Sequence, residues 1–331
     1  MITFKAVPND APIPWDFFVK NYTNAIALDG YVIGPAKFDR QHKVANFNHH
    51  EGCDRLSTRA TCAQVLLAVR QGLMDNFKKE DVTIWVNDCD QDVCLSVFIL
   101  MNAWLCGPVI NPNLNKLVHV ADMMDTCGGC YPFPVDMPFM QSMAWIFEPY
   151  TIFRTSGRLM DKNKGTYESI ITDVCNRIQA YLAGSGGKVE LQTEFEVIGG
   201  GHGWSMVVET GQHARMALMS SGIKAFVAVR QGKDNWAYSI GRISEYIDFD
   251  IENIMAKLNI AEGLTNYGDK WGGSALIGGS PRVKGSRLNP QEVINIINET
   301  GDAEFGEHME ALRNSNAPMA SLDDLRRHAN Q

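Results

Sequence analysis

The chain has 331 residues, 45% of them hydrophobic and 21% charged, which excludes a disordered or fibrous protein and allows two domains. Its formal net charge of −8 repels phosphate backbones on average, so wrapping of long nucleic acid is excluded without a local basic patch. A small phosphorylated ligand is not excluded, because bound cations would dominate the local field.

Met1–Ala6 shows no basic region leading into an apolar one, so no signal peptide is read there. The first apolar runs share one design. Ala25–Leu28 ends in Asp29, and Lys43–Phe47 ends in Asn48, His49 and His50. Ser57 or Thr58 can then cap a helix carrying Ala63, Leu66, Leu67, Leu73 and Met74 at helical spacing. Thr83–Val86 ends in Asn87 and Asp88, and a helix is expected from about Asp92 to Leu105. Val93–Ile110 is apolar, but Ser96, Asn102, Gly107 and Pro108 interrupt it, so it reads as a buried helix rather than a membrane span. Leu117–Ala121 is read as a fourth strand, ending in Asp122. Short apolar runs alternating with helices predict an α/β fold with a doubly wound parallel sheet, in which ligands bind beyond the carboxyl ends of the strands.

A long helix from about Asp161 stops at Gly184, and Gly184–Gly187 is the best linker. Beyond it, Lys188–Ile198 and Trp204–Glu209 alternate like strands, Gln212–Ser221 reads as a helix, and Ile223–Arg230 with Trp236–Ile243 reads as a hairpin. These predict a second, smaller α+β domain, giving domains 1–184 and 187–331. The last 30 or so residues are polar and read as a docked helix with a loose tail. Eight cysteines without framework spacing imply reduced thiols and a cytoplasmic protein. The single Cys127-Gly128-Gly129-Cys130 reads as a glycine turn.

Asp88, Asp90 and Asp92 alternate between a buried strand and a helix. Like charges so crowded raise one another's pKa unless cations neutralise them. Helix capping would need one aspartate, not three, so metal binding is the reading preferred. His49 and His50 in tandem after a strand, with Glu51 following, join that set, and oxygen-rich ligation with one or two imidazoles suits manganese better than zinc. Asp29 and Asp122 gain weight from the shared strand-end position, with Asp125 the alternative to Asp122. Asp39 and Asp54 fall in loops and read as solvated. Gly199–Gly203 reads as a hairpin turn rather than a nucleotide fingerprint. Arg55 and Arg59 lie close enough to the His pair to reach the crevice.

An Asp-x-Asp-x-Asp-x-x-x-Ser segment (Asp88 to Ser96), strand-end aspartates and a His-His pair resemble the motifs of the DHH phosphoesterase superfamily. Ser57-Thr58-Arg59-Ala60 shortly after the pair is similar too, and Gly278-Gly279-Ser280-Pro281-Arg282-Val283-Lys284-Gly285 resembles the loop of that family's associated substrate domain. Three departures stand out: Asp29 and the His pair precede the Asp-x-Asp segment, Asn48 stands where the family has Asp, and Ser280 stands where its loop has His. The resemblance implies two Mn²⁺ or Mg²⁺ ions about 3.5–4 Å apart. Asp29 would bridge them, and Asp88, Asp90, Asp92, His49 and Asp122 or Asp125 would complete their shells. It further implies that His50, with Asp90 and Asp92, serves the chemistry, and that Gly278, Gly279, Ser280, Arg282, Lys284 and Arg55 hold the substrate. The expected partner is a small phosphorylated compound or short oligonucleotide, with no membrane and a homodimer left open. The competing expectation is a catalytically degenerate module that binds a nucleotide or metal.

Overall fold

The computed structural model describes residues 1–78, 80–106, 111–264 and 269–299. By its contacts the chain divides into two compact units, one of 1–196, 209–224 and 242–247, the other of 197–208, 225–241 and 248 onward. The polar C-terminal stretch and the end of the 93–110 apolar run lie outside the described residues.

The first unit is mixed α/β. Its elements begin with β1 (Ile2–Ala6), α1 (Trp15–Asn21), β2 (Ala25–Leu28), β3 (Lys37–Asp39), β4 (Val44–Phe47), α2 (Thr61–Arg70) and β5 (Val82–Val86). They continue with α3 (Gln91–Met101), α4 (Ala103–Cys106), α5 (Pro112–Thr126), α6 (Pro138–Thr155) and α7 (Lys164–Leu182). The sheet order is β1-β5-β2-β4-β3; all pairings are parallel except the edge strand β3, which runs antiparallel to β4. β2 is buried throughout, because both its faces are covered. Ala25 and Ala27 pack with Phe18 and Tyr31, whereas Ile26 and Leu28 join the large core of α2, α3 and α5 to α7. The period-two alternation of a strand thus serves two separate cores.

Three of the four expected strands are present. The fourth is corrected: Leu117–Ala121 lies inside α5, with Asn111 capping the helix and Pro112 at its first turn. Its apolar residues Leu114, Leu117, Val118 and Ala121 are spaced for one helical face, and the window Leu117–Ala121 alone was too short to reveal the period. β1 was not anticipated, because its outer residues are exposed and the run looks amphipathic. The expected 57–74 helix begins later, at Thr61, and gives way to a short tight helix at Leu73–Phe77.

The second sheet contains β6 (Phe195–Gly201), β7 (Trp204–Glu209), β8 (Ala225–Gln231), β9 (Trp236–Arg242), β10 (Gly272–Gly273) and β11 (Ile277–Gly279), in the order β10-β11-β9-β8-β7-β6. α8 (Ala214–Ser220) links the parallel pair β7 and β8, and α9 (Ile251–Glu262) follows β9. Lys188–Glu194 carries no strand, and β6 begins at Phe195. Among the described residues, no helix is long and apolar enough to cross a membrane.

Candidate metal centre

Register brings the chemistry together. Leu28 pairs with Phe47 and Ala27 with Trp85, so the residues after β2, β4 and β5 emerge side by side at the carboxyl edge of the sheet. Asp29 follows β2 with φ 51°, a left-handed conformation that aspartate tolerates better than most residues. Its amide donates to the Phe47 carbonyl, which holds the turn against β4. Asn48 is buried and organises the next turn: its side-chain amide donates to the carbonyls of Gly34 and Glu51, and its Oδ1 accepts from the His50 backbone.

His49 is fully buried, and its Nε2 faces three carboxylates: Asp125 Oδ2 at 2.7 Å, Asp29 Oδ1 at 3.3 Å and Asp92 Oδ2 at 3.6 Å. None of these is aligned as a hydrogen bond, and both His49 nitrogens and Asp125 Oδ2 are buried without a hydrogen-bond partner. Unsatisfied buried polar atoms are costly, and three in one place call for an explanation. The ligand atoms of Asp29, His49 and His50, and those of His49, Asp92 and Asp125, form two sets, each within 4.8 Å, sharing His49. Oxygen donors with imidazole are the donor chemistry of a hard divalent cation such as manganese, so these residues fit such an ion.

The electrostatics fit as well. Burial raises the carboxyls of Asp88, Asp90 and Asp92 above the usual carboxylate range, with the Asp29 charge adding to it, and Asp92 is pushed up to about 7. Burial alone would raise Asp29 too, but the adjoining imidazoles of His49 and His50 hold it well below that range. Burial alone would lower His49, yet Asp125 and Asp29 push it up to about 11. Without a metal, the crowded acids are compensated by retained protons and an imidazolium. A divalent cation would replace that compensation and release protons.

The acidic residues are not equivalent. Asp90 Oδ1 caps α3 by accepting from the Val93 amide, and Asp88 Oδ1 accepts from Cys89. Asp92 gives both oxygens to the amides of Thr61 and Cys62, each at 2.7 Å, and so caps α2 from another helix. Two of the three alternating aspartates are therefore helix caps, contrary to the expectation that capping occupies one. Asp122 moves furthest from expectation. It sits on α5 rather than at a strand end, is fully buried, and accepts from the Ala60 amide at 2.8 Å and Arg59 Nη1 at 2.9 Å. Asp125, one turn later on the same helix, is the residue that reaches His49. α2 has no side-chain cap of its own, and neither Ser57 nor Thr58 serves as one.

His50 is half-exposed, stacked obliquely near His49 with ring centroids 4.3 Å apart, and its Nε2 lies 3.0 Å from Asp29 Oδ1. Arg55 reaches His50, whereas Arg59 is bound to Asp122. Thr61, unnoticed in the sequence, donates its hydroxyl to Asp29 Oδ1 at 3.0 Å. The only sequence signal for it was its place at the start of an uncapped helix.

In the second unit, Gly278 and Gly279 lie in β11, and Ser280 is tied to Tyr238 through both its amide and its hydroxyl. The amides of Val283 and Lys284 donate to the two oxygens of Asp269. Gly285 turns the chain with φ 66°, where a side chain would meet the Trp236 carbonyl. The expected substrate loop is thus a turn whose amides already hold a carboxylate of the same chain.

No family model, no curated protein and no solved structure matches this chain.

Proposed function

We propose that the protein is a metal-dependent phosphoesterase that hydrolyses a phosphodiester or phosphoanhydride bond of a short nucleotide-type substrate. The observation that carries this reading is the convergence of Asp29, Asp92 and Asp125 on a fully buried His49 whose nitrogens make no hydrogen bond. The motif resemblance to the DHH superfamily and the placement of the cluster beyond strands of a sheet covered on both faces, as in doubly wound proteins, support it.

Asp29, His49, Asp92 and Asp125 would hold manganese or magnesium, with Asp88 and Asp90 beside them supplying further negative charge. Such ions activate water and neutralise charge that develops on a phosphoryl group. The chain's own residues do the rest. His49, shared between the two ligand sets, keeps them in register. Thr61 fixes the Asp29 carboxylate, and the amides of α2 fix Asp92. His50, half-exposed at the edge, is placed to donate to an oxygen of a bound phosphoryl group.

A panel of dinucleotides, short 5′-labelled oligomers, pyrophosphate and polyphosphate with Mn²⁺ tests the reading. Asp125→Asn is the control of choice, because Asp125 caps no helix and its loss should leave the fold intact. Turnover of one class by the wild type and not by the variant is the expected result; equal turnover by both would overturn the assignment. A second reading is a binding module without turnover. It is favoured by one observation, the occupation of the second unit's loop amides by Asp269. Manganese binding with silence across the whole panel is the outcome that would select it.

A further inference from the structure

The two adjacent imidazoles differ in what their second nitrogens touch. His49 Nδ1 has no hydrogen-bond partner. His50 Nδ1 lies 2.9 Å from Arg55 Nη1. A guanidinium carries only donors and stays charged in proteins, so the Arg55 N–H donates and His50 Nδ1 must present its lone pair. A neutral imidazole has one N–H and one lone pair; with the lone pair used at Nδ1, the proton sits on Nε2. His50 Nε2 lies 3.0 Å from Asp29 Oδ1. A metal ligand needs a lone pair on the coordinating nitrogen, and His50 Nε2 has none in this state. His49 carries no such constraint at Nδ1, and an ion binding at its Nε2 would displace the proton held there.

We propose that Arg55 is a positioning residue that locks His50 as the Nε2–H tautomer, so the pair divides its labour: His49 ligates the metal and His50 donates a hydrogen bond. This rests on the metal-dependent phosphoester reading for what His50 donates to, but not for the tautomer itself. It also assigns Arg55 to the His50 ring rather than to the substrate. The backbone of His50 is anchored separately by Asn48, so Arg55 acts on the ring and not on the turn.

The test is a long-range ¹H–¹⁵N spectrum of histidine-labelled, metal-free protein in mildly alkaline buffer. The wild type should show His50 with an unprotonated Nδ1 and a protonated Nε2; a protonated Nδ1 would overturn the proposal outright. Arg55→Met should shift His50 towards the averaged signals of a free ring, and Arg55→Lys, which keeps a donor, should restore the wild-type pattern at least in part. An unchanged His50 spectrum in Arg55→Met would overturn it. Titration with manganese alone supplies the second readout. His49→Gln should lose well over about 100-fold in affinity, while His50→Gln, which removes only a neighbour of the ligand Asp29, should lose no more than about 10–100-fold. Equal losses would make His50 a ligand and end the proposal. Because neither readout uses substrate, a chain that hydrolyses nothing can still pass or fail it.

Discussion

The crevice at the carboxyl edge of the first sheet and the Gly278–Gly285 turn of the second unit make an instructive pair. Both were expected to bind, one a metal and the other a phosphate. In the turn, Asp269 accepts from the Val283 and Lys284 amides and Ser280 closes on Tyr238, so these backbone and hydroxyl groups already have partners. In the crevice, buried nitrogens and a carboxylate oxygen of His49 and Asp125 are close together and bonded to nothing. A turn that satisfies itself needs no ligand to fold. A buried cluster that does not is held together at a cost that an ion would relieve.

That contrast can be broken most directly at His49. His49→Ala should abolish manganese-dependent stabilisation, which in the wild type should reach about 3 kcal/mol at a hundredfold excess over Kd; differential scanning fluorimetry with and without Mn²⁺ reads it. Next in size is Asp92→Ala, which strands the buried amides of Thr61 and Cys62. It should cost about 2–4 kcal/mol in urea unfolding even without metal, whereas Asp125→Asn should cost far less.

The pH dependence of the metal-free protein sharpens the same point. Folded Asp92 keeps its proton to about pH 7, whereas the unfolded residue loses it near its ordinary 3.8. The folded state therefore binds more protons across that window, and stability should fall as pH rises through it. His49, raised from 6.5 to about 11, extends the decline to alkaline pH. Asp29 acts in the opposite sense, its stabilisation being present above 3.8 and lost in acid. Saturating Mn²⁺ should flatten the profile above pH 6; a profile indifferent to metal would contradict the site. The smallest effect is expected in the turn: Asp269→Ala should move Tm by no more than about 2 °C and create no phosphate affinity measurable by calorimetry.

Much of the site was legible because parallel strands put their ends in one place. Asp29, His49, His50 and Asp88 could be assembled from three short apolar runs and the polar residues that follow them. Asp122 misled for the same reason, since an apolar run ending in Asp looks alike whether it is a strand or the middle of a helix. Asn111-Pro112, a helix start six residues earlier, was the signal that would have corrected it. Thr61 and the capping role of Asp92 were not legible at all, because they join positions 30 or more residues apart, and the caps run to backbone amides that carry no residue-specific mark. The pairing of Asp269 with the Gly278–Gly285 turn was hidden likewise.

The tethering of α2 by Asp92 and Asp122 bears on how this protein could change over time. Those two acids are required by the fold whether or not an ion is ever bound, because without them the first amides of a buried helix have no acceptor. A descendant that lost catalysis would still be under pressure to keep both. His49 and Asp125 carry no such structural duty and would drift first. Their retention or loss in diverged copies, rather than that of the more conspicuous aspartates, would be the record of whether the chemistry was still in use.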